Sequence, residues 1–262
     1  MEVTGRAVAL AALQMAPAAT LMAHGLRAQV RQPSDENAQV HRRAGRLARM
    51  RQPKGNSRMA NLALFDFDGT ITTREMMRDF MLRAVAPRRL ACGKVLLAPW
   101  YGGYKLGVVS GTAARAAIVR FGFSGVPLDV LQTHGAAFAA EALPAVLRPE
   151  ALARIRWHRR QGDTVAVVSG ALDLYLAPWC HTHGLALICS ALEHRHGRFT
   201  GRYLGAQCVG EEKARRVRAQ YDLAAYERVY AYGDTHEDLP LLDLAHHRFY
   251  RGLELPAAAT TW

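Results

Sequence analysis

Asp66 and Asp68 stand one residue apart in Leu64-Phe65-Asp66-Phe67-Asp68-Gly69-Thr70, at the end of an apolar run and just before a glycine turn. Strand alternation places the two carboxylates on one side, while a turn at Gly69 lets them diverge toward a single reacting group. Like charges this close repel, and a bound cation is the simplest relief. Acidic pairs in turns also commonly do no more than face water, so the rest of the chain has to supply the partners.

The elements that must position such a pair emerge downstream of Met59. Leu62, Leu64 and Phe65 begin a strand, and Thr164-Val165-Ala166-Val167-Val168 is a continuous apolar run of the buried parallel type. A helix is expected from about Pro149 to Arg160, a second one with Leu172, Tyr175, Leu176 and Trp179 on one face, kinked or ended near Pro178, and a third from Glu211. Strands are expected at Leu187–Cys189 and Arg228–Tyr232, a hairpin at Glu193–Leu204, and a helix from Glu237. Residues 74–147 read as helical patches broken at Pro87, Pro99, Gly102-Gly103, Gly122–Pro127 and Pro144. The pattern predicts an α/β fold: a doubly wound parallel sheet with an all-helical insertion between its first two strands.

In open α/β sheets ligands bind beyond the carboxyl ends of the strands, so polar residues at those ends belong together. Asp66 and Asp68 follow the first strand, Ser169-Gly170 the second, and Gly233-Asp234-Thr235-His236-Glu237-Asp238 the last long one, while Lys213 opens the late helix. These are the parts that phosphoryl transfer needs: a nucleophile, hydroxyl and backbone donors, a fixed cation and metal carboxylates. Taken singly each has a plainer role. Ser169 caps a helix, Lys213 is a solvated charge, and Asp234 and Asp238 are a turn residue and a first-turn acid.

In this order the four segments resemble the motif set of the haloacid dehalogenase superfamily, over about residues 61–250. The helical insertion after strand 1 resembles a C1-type cap, and Val167-Val168-Ser169-Gly170 with Asp173 soon after is similar to phosphoserine phosphatases of subfamily IB. The resemblance implies that Asp66 attacks phosphorus and becomes an aspartyl-phosphate, and that Asp68 protonates the leaving oxygen and then activates water. It implies that Ser169 and the amides around Gly170 hold phosphoryl oxygens at a helix N-terminus and that Lys213 offsets their charge. Mg²⁺ would be bound by Asp66, the backbone carbonyl of Asp68 and Asp234, with Asp238 orienting that shell. Glu75, nine positions after Asp66, stands where phosphoserine phosphatases recognise a substrate amine, though a solvent-facing helix acid is the plain alternative. Gly69 departs from the Ser of many phosphoserine phosphatases, and the insertion is rich in Leu96, Leu97, Trp100, Tyr101 and Tyr104. A substrate other than phosphoserine, such as histidinol phosphate or another amino-alcohol phosphate, is therefore admissible.

Composition bounds the rest. The 262 residues are half apolar and 21% charged, as in ordinary globular proteins. Of the net charge of +12, +7 falls in residues 1–58. No basic stripe interleaved with aromatics emerges beyond them, which argues against specific nucleic-acid binding, although a basic surface steers anionic substrates. Residues 1–58 are expected to be a disordered extension or a misassigned start with Met59 as the natural first residue. Residues 59–73 and 149–262 are expected to form the core and 74–148 the helical cap. The apolar run from Val95 to Val109 contains Pro99, two glycines and Lys105 and is too short to span a bilayer. It reads better as a helix in a mobile insertion beside a substrate entrance. Cys92, Cys180, Cys189 and Cys208 lack C-x-x-C spacing, which fits unpaired thiols in a cytoplasmic protein. Cys180-His181-Thr182-His183 reads as a helix end and not a metal site. The expectation is a Mg²⁺-dependent phosphatase acting on a small phosphorylated metabolite. The alternatives are a phosphotransferase on the same scaffold and a non-enzymatic basic binding protein.

Overall fold

β1 (Leu62–Phe65) lies in the middle of a six-stranded sheet, and all four of its side chains are buried. It pairs in parallel with β2 (Thr164–Leu172) on one side and with β6 (Val229–Gly233) on the other. β3 (Ala186–Ser190) extends the sheet beyond β2, and β7 (His247–Tyr250) extends it beyond β6, both in parallel. β8 (Leu253–Leu255) closes that edge antiparallel to β7. In the order β3-β2-β1-β6-β7-β8 the winding reverses at β1, so the carboxyl end of β1 opens at the switch point where such sheets bind ligands. These observations come from a computed structural model in which residues 60–256 are described. The expected extension at residues 1–58 lies outside them.

Both faces of the sheet are covered, which is why β1 reads as a continuous apolar run and not as an alternating one. Ala63 and Phe65 point into one core with Val165, Val167, Phe80, Phe138 and Tyr175. Leu62 and Leu64 point into the other with Ala166, Val168, Val217, Leu241 and Leu244. Between β1 and β2 the chain is helical: α1 (Met77–Ala84), α2 (Pro87–Leu96), α3 (Ala98–Lys105), α4 (Gly111–Phe123), α5 (Leu128–Glu141) and then α6 (Pro149–Arg160). Prolines start α2 and α3 at positions where the missing N–H is harmless. Gly102-Gly103, expected to break a helix, instead lies inside α3, so that break is absent.

α7 (Asp173–His183) continues through Pro178, so it does not end there, and stops at Gly184 in the left-handed conformation with φ 64°. β4 (Leu192–Arg195) and β5 (Arg198–Tyr203) form the expected hairpin, and α8 (Glu211–Gln220) is the expected basic helix. After β6 a 3-10 turn (His236–Asp238) leads into the short α9 (Leu239–Leu242), so the helix expected from Glu237 begins two residues late.

A buried polar link ties α6 to the sheet. His158 is 0% exposed, with Nδ1 2.7 Å from Asp163 Oδ2 and Nε2 2.9 Å from the Tyr232 hydroxyl. The arrangement suits a neutral imidazole that donates to Asp163 and accepts from Tyr232. Burial lowers the His158 pKa below its ordinary 6.5, against the upward pull of Asp163. The folded state thus takes up the proton less readily than the unfolded chain, so the stability tied to this residue is full above 6.5 and lost as the pH falls below it. The urea midpoint is expected to drop between about pH 7 and about pH 5.5, and to drop less in His158→Asn, when both are followed by circular dichroism.

Candidate active site

Asp66 is the first residue beyond β1, and its N–H donates to the Tyr232 carbonyl of β6 at 2.9 Å, which fixes the backbone there. Its carboxylate is 4% exposed and meets Lys213 of α8, whose Nζ donates to Asp66 Oδ1 at 2.5 Å. The same ammonium donates to Asp238 Oδ1 at 2.5 Å. Asp238 Oδ2 accepts from the Asp234 N–H, the Thr235 N–H and the Thr235 hydroxyl at 3.1, 3.0 and 2.9 Å. Asp238 therefore spends both oxygens holding Lys213 and the loop that carries Asp234. Gly210, at the start of α8, donates its N–H to the Glu237 carbonyl and ties that helix to the same loop.

Asp68 takes a different direction. Its Oδ1 accepts the Met76 N–H at 3.0 Å, so the two acids of the Asp66-Phe67-Asp68 pair end on separate partners. The turn that follows them depends on Gly69, which has φ +82° and packs against the Asp234 carboxylate where a side chain would begin. Thr70 donates its hydroxyl to Asp234 Oδ1 at 3.1 Å. Arg148 Nε lies 3.1 Å from the Gly69 carbonyl and 3.2 Å from that of Thr72, holding the loop from below. Gly69→Ala is expected to cost about 1–3 kcal/mol in backbone strain and to displace Asp234. Thermal denaturation should show the first effect, and an altered carboxyl chemical shift of Asp234 the second.

The electrostatics show a carboxylate cluster short of positive charge. Burial raises the Asp66 pKa to about 7, even with Lys213 pulling it down. Asp68 is raised well above the usual range by burial, then by the charges of Asp66 and Glu75. Asp234 is raised by burial, opposed by the Thr70 hydroxyl. Asp238 is lowered because Lys213 and the Thr235 donors outweigh its burial. Lys213 stays charged: burial works against the ammonium, but Asp66 and Asp238 together raise its pKa.

The donor set fits a hard divalent cation. Asp66, Asp234 and Asp238 each offer an oxygen within 4.8 Å of the others, the one such group found among the described residues. With Asp238 committed to Lys213 and the loop, Asp66 and Asp234 are the side chains left to bind, while the Asp68 carboxylate is turned to Met76. The Cys180-His181-Thr182-His183 segment forms no such cluster and is the end of α7.

Ser169 lies where expected, at the carboxyl end of the second strand, but not at a helix N-terminus. β2 continues through Ser169-Gly170 to Leu172, its register against β3 breaks between Ser169 and Leu172, and α7 starts only at Asp173. The fully buried Ser169 hydroxyl accepts the Ala171 N–H at 3.2 Å within this bulge. A side chain at Gly170 would press on Val209. Glu75 is exposed and lies close enough for its charge to act on Asp68, Tyr175 and Tyr203. Thr70, Arg148 and Thr235 were not singled out from sequence. The two threonines had a signal, since each directly follows a Gly or Asp of the flagged segments. Arg148 had none, being one arginine among many.

A family model described as haloacid dehalogenase-like hydrolase matches residues 63–243, a span holding every residue of this cluster. The chain belongs to the haloacid dehalogenase-like hydrolases. It is 31% identical over 196 residues to Protein CicA of Caulobacter vibrioides (strain NA1000 / CB15N), covering 72% of this chain and 85% of that one. It is 32% identical over 114 residues to a histidinol-phosphatase of Neisseria meningitidis serogroup C, a match of 41% of this chain and 51% of that enzyme. The fold is shared with a phosphoserine phosphatase solved as a phospho-aspartyl intermediate analogue, at a TM-score of 0.52 and 19% identity over 72% of this chain and 84% of that one. In this haloacid dehalogenase-like hydrolase the Asp66–Lys213–Asp238 triad and Asp234 gather from the end of β1, α8 and the loop after β6.

Proposed function

We propose that this hydrolase is a Mg²⁺-dependent phosphatase that cleaves a small phosphomonoester through an aspartyl-phosphate on Asp66. The observation that carries the reading is the division of the acid pair. Asp66 is buried against a fixed ammonium, and Asp68, two residues on, is held by a backbone N–H with its proton affinity raised. An ionised Asp66 attacks phosphorus, displacing the alcohol and forming the acyl-phosphate bond. A protonated Asp68 gives its proton to the departing oxygen and, once ionised, takes one from the water that hydrolyses Asp66's phosphoryl group. Lys213 offsets charge on Asp66 and the phosphoryl oxygens, and Ser169 with the amides of the bulge supplies donors to those oxygens. A Mg²⁺ held by Asp66, the Asp68 carbonyl and Asp234 would supply Lewis-acid charge neutralisation. Asp238 acts by positioning Lys213 and the Asp234 loop.

The similarity to a histidinol-phosphatase and the fold of phosphoserine phosphatases support a substrate with an amine, for which Glu75 is the counter-charge. Four free thiols, three of them buried, suit a cytoplasmic setting, and no helix among the described residues is long and apolar enough to cross a membrane. A panel of amino-alcohol and neutral phosphomonoesters, assayed with and without Mg²⁺, tests the reading. Turnover should require the metal, and Glu75→Gln should lower kcat/KM for amine-bearing substrates about tenfold or more relative to neutral ones. Metal-independent turnover, or equal losses across the panel, would contradict the metal and the glutamate assignments respectively.

A further inference from the structure

The edge of the helical insertion carries an exposed apolar surface that makes none of the active-site contacts described above. Along the end of α2, α3 and the turn after it, Val95, Leu96, Tyr101, Leu106 and Val108 are 61–80% exposed, and Trp100 and Tyr104 45–47%. Monomeric proteins scatter such residues singly, whereas here they follow one another within fourteen positions. The charge around them is one-sided. From Phe80 to Leu128 there is no Asp or Glu, against Arg83, Arg88, Arg89, Lys94, Lys105, Arg115 and Arg120. Among the described residues Arg83 pairs with Glu141 and Arg115 with Glu237, and the other five have no carboxylate partner.

We propose that this edge docks onto an anionic lipid surface, with the exposed aromatic and aliphatic side chains entering the headgroup region and Lys94, Lys105 and Arg88 facing lipid phosphates. Trp and Tyr are the residues that settle at a membrane–water boundary, and flanking lysines add attraction to acidic headgroups. α2 and α3 have 10 and 8 residues, so they lie on a bilayer and do not span it. A second copy of the chain is the less favoured occupant, because two such edges would bring like charges together.

The test is co-sedimentation of the full chain with vesicles of phosphatidylcholine alone and of phosphatidylcholine mixed with phosphatidylglycerol. Binding should be confined to the mixed vesicles and weaken with added salt. The double variant Lys94→Glu/Lys105→Glu should lower partitioning by roughly thirty-fold or more, and Leu106→Ala by about tenfold. Far-UV circular dichroism and thermal melts of both variants without vesicles should match the wild type, showing that they fold. No binding to mixed vesicles, equal binding to neutral ones, or a concentration-dependent dimer lost in Leu106→Ala would overturn the proposal. None of these outcomes depends on the phosphatase assignment.

Discussion

Asp66→Asn is expected to lower kcat for phosphomonoester hydrolysis by more than about 10⁴-fold while leaving the fold in place. The amide keeps the shape of the carboxylate and the Oδ1 that accepts from Lys213, so the triad survives with a weaker contact. It cannot form an acyl-phosphate. The folded protein should tolerate the change, because burial already works against a charge at this position and raises its pKa to about 7. Lys213 still has Asp238 as a counter-charge. Steady-state kinetics beside a thermal melt checks both halves: turnover within about tenfold of wild type would remove Asp66 from the nucleophile's role.

Lys213→Met should be the more damaging change to stability. Lys213 is 3% exposed and is the ammonium between Asp66 and Asp238, so its loss strands two buried carboxylates side by side. Breaking a buried ion pair from one side costs about 3–5 kcal/mol, well above a typical surface substitution. The share of the pH dependence that belongs to Asp238 should change sign as well, adding to that of Asp66, whose raised pKa already favours acid in the wild type. In the wild type Asp238 has a pKa below 3.8, so its contribution is present above that value and lost as the pH falls. In the variant the facing acids hold a proton more tightly than in the unfolded chain, so stability is greatest in acid and lost as the pH rises through their raised pKa. Urea midpoints measured without divalent cations should fall more steeply from acid to neutral pH in the variant than in the wild type. A variant as stable as wild type at neutral pH would mean that the triad is not the buried unit described here.

The fold was legible where a segment is buried on both faces. β1 and the start of β2 are continuous apolar runs, and each was recognised because nothing polar interrupts it before the site. β7 and β8 were missed for the opposite reason. β7 is half-exposed and β8 is the exposed edge strand, His247, Arg248 and Glu254 interrupt their apolar residues, and their pairing comes from the sheet beside them. Pro178 and Gly102-Gly103 show tertiary packing overriding local breakers. α7 is held by the buried Tyr175, Leu176, Trp179 and Cys180 on either side of the proline.

Residue types and order anticipated that Asp66, Lys213, Asp234 and Asp238 lie together, at the ends of two strands and the start of a helix. Sequence did not show how the carboxylates divide. Asp238's commitment to Lys213 and Thr235, and Asp68's turn toward Met76, are set by a loop geometry that depends on Gly69 and Arg148. The bulge at Ser169-Gly170 was likewise hidden, since a Ser-Gly after a strand reads equally well as a helix start.

The central claim is the covalent phosphoryl group on Asp66, and rapid acid quenching of the enzyme during turnover followed by mass spectrometry of its peptides tests it most directly. The account predicts a hydroxylamine-labile phosphoryl adduct on Asp66, formed only with substrate and absent from Asp66→Asn. An adduct on Asp68, Ser169 or a histidine, or an Asp66→Asn enzyme that still becomes labelled, would contradict it.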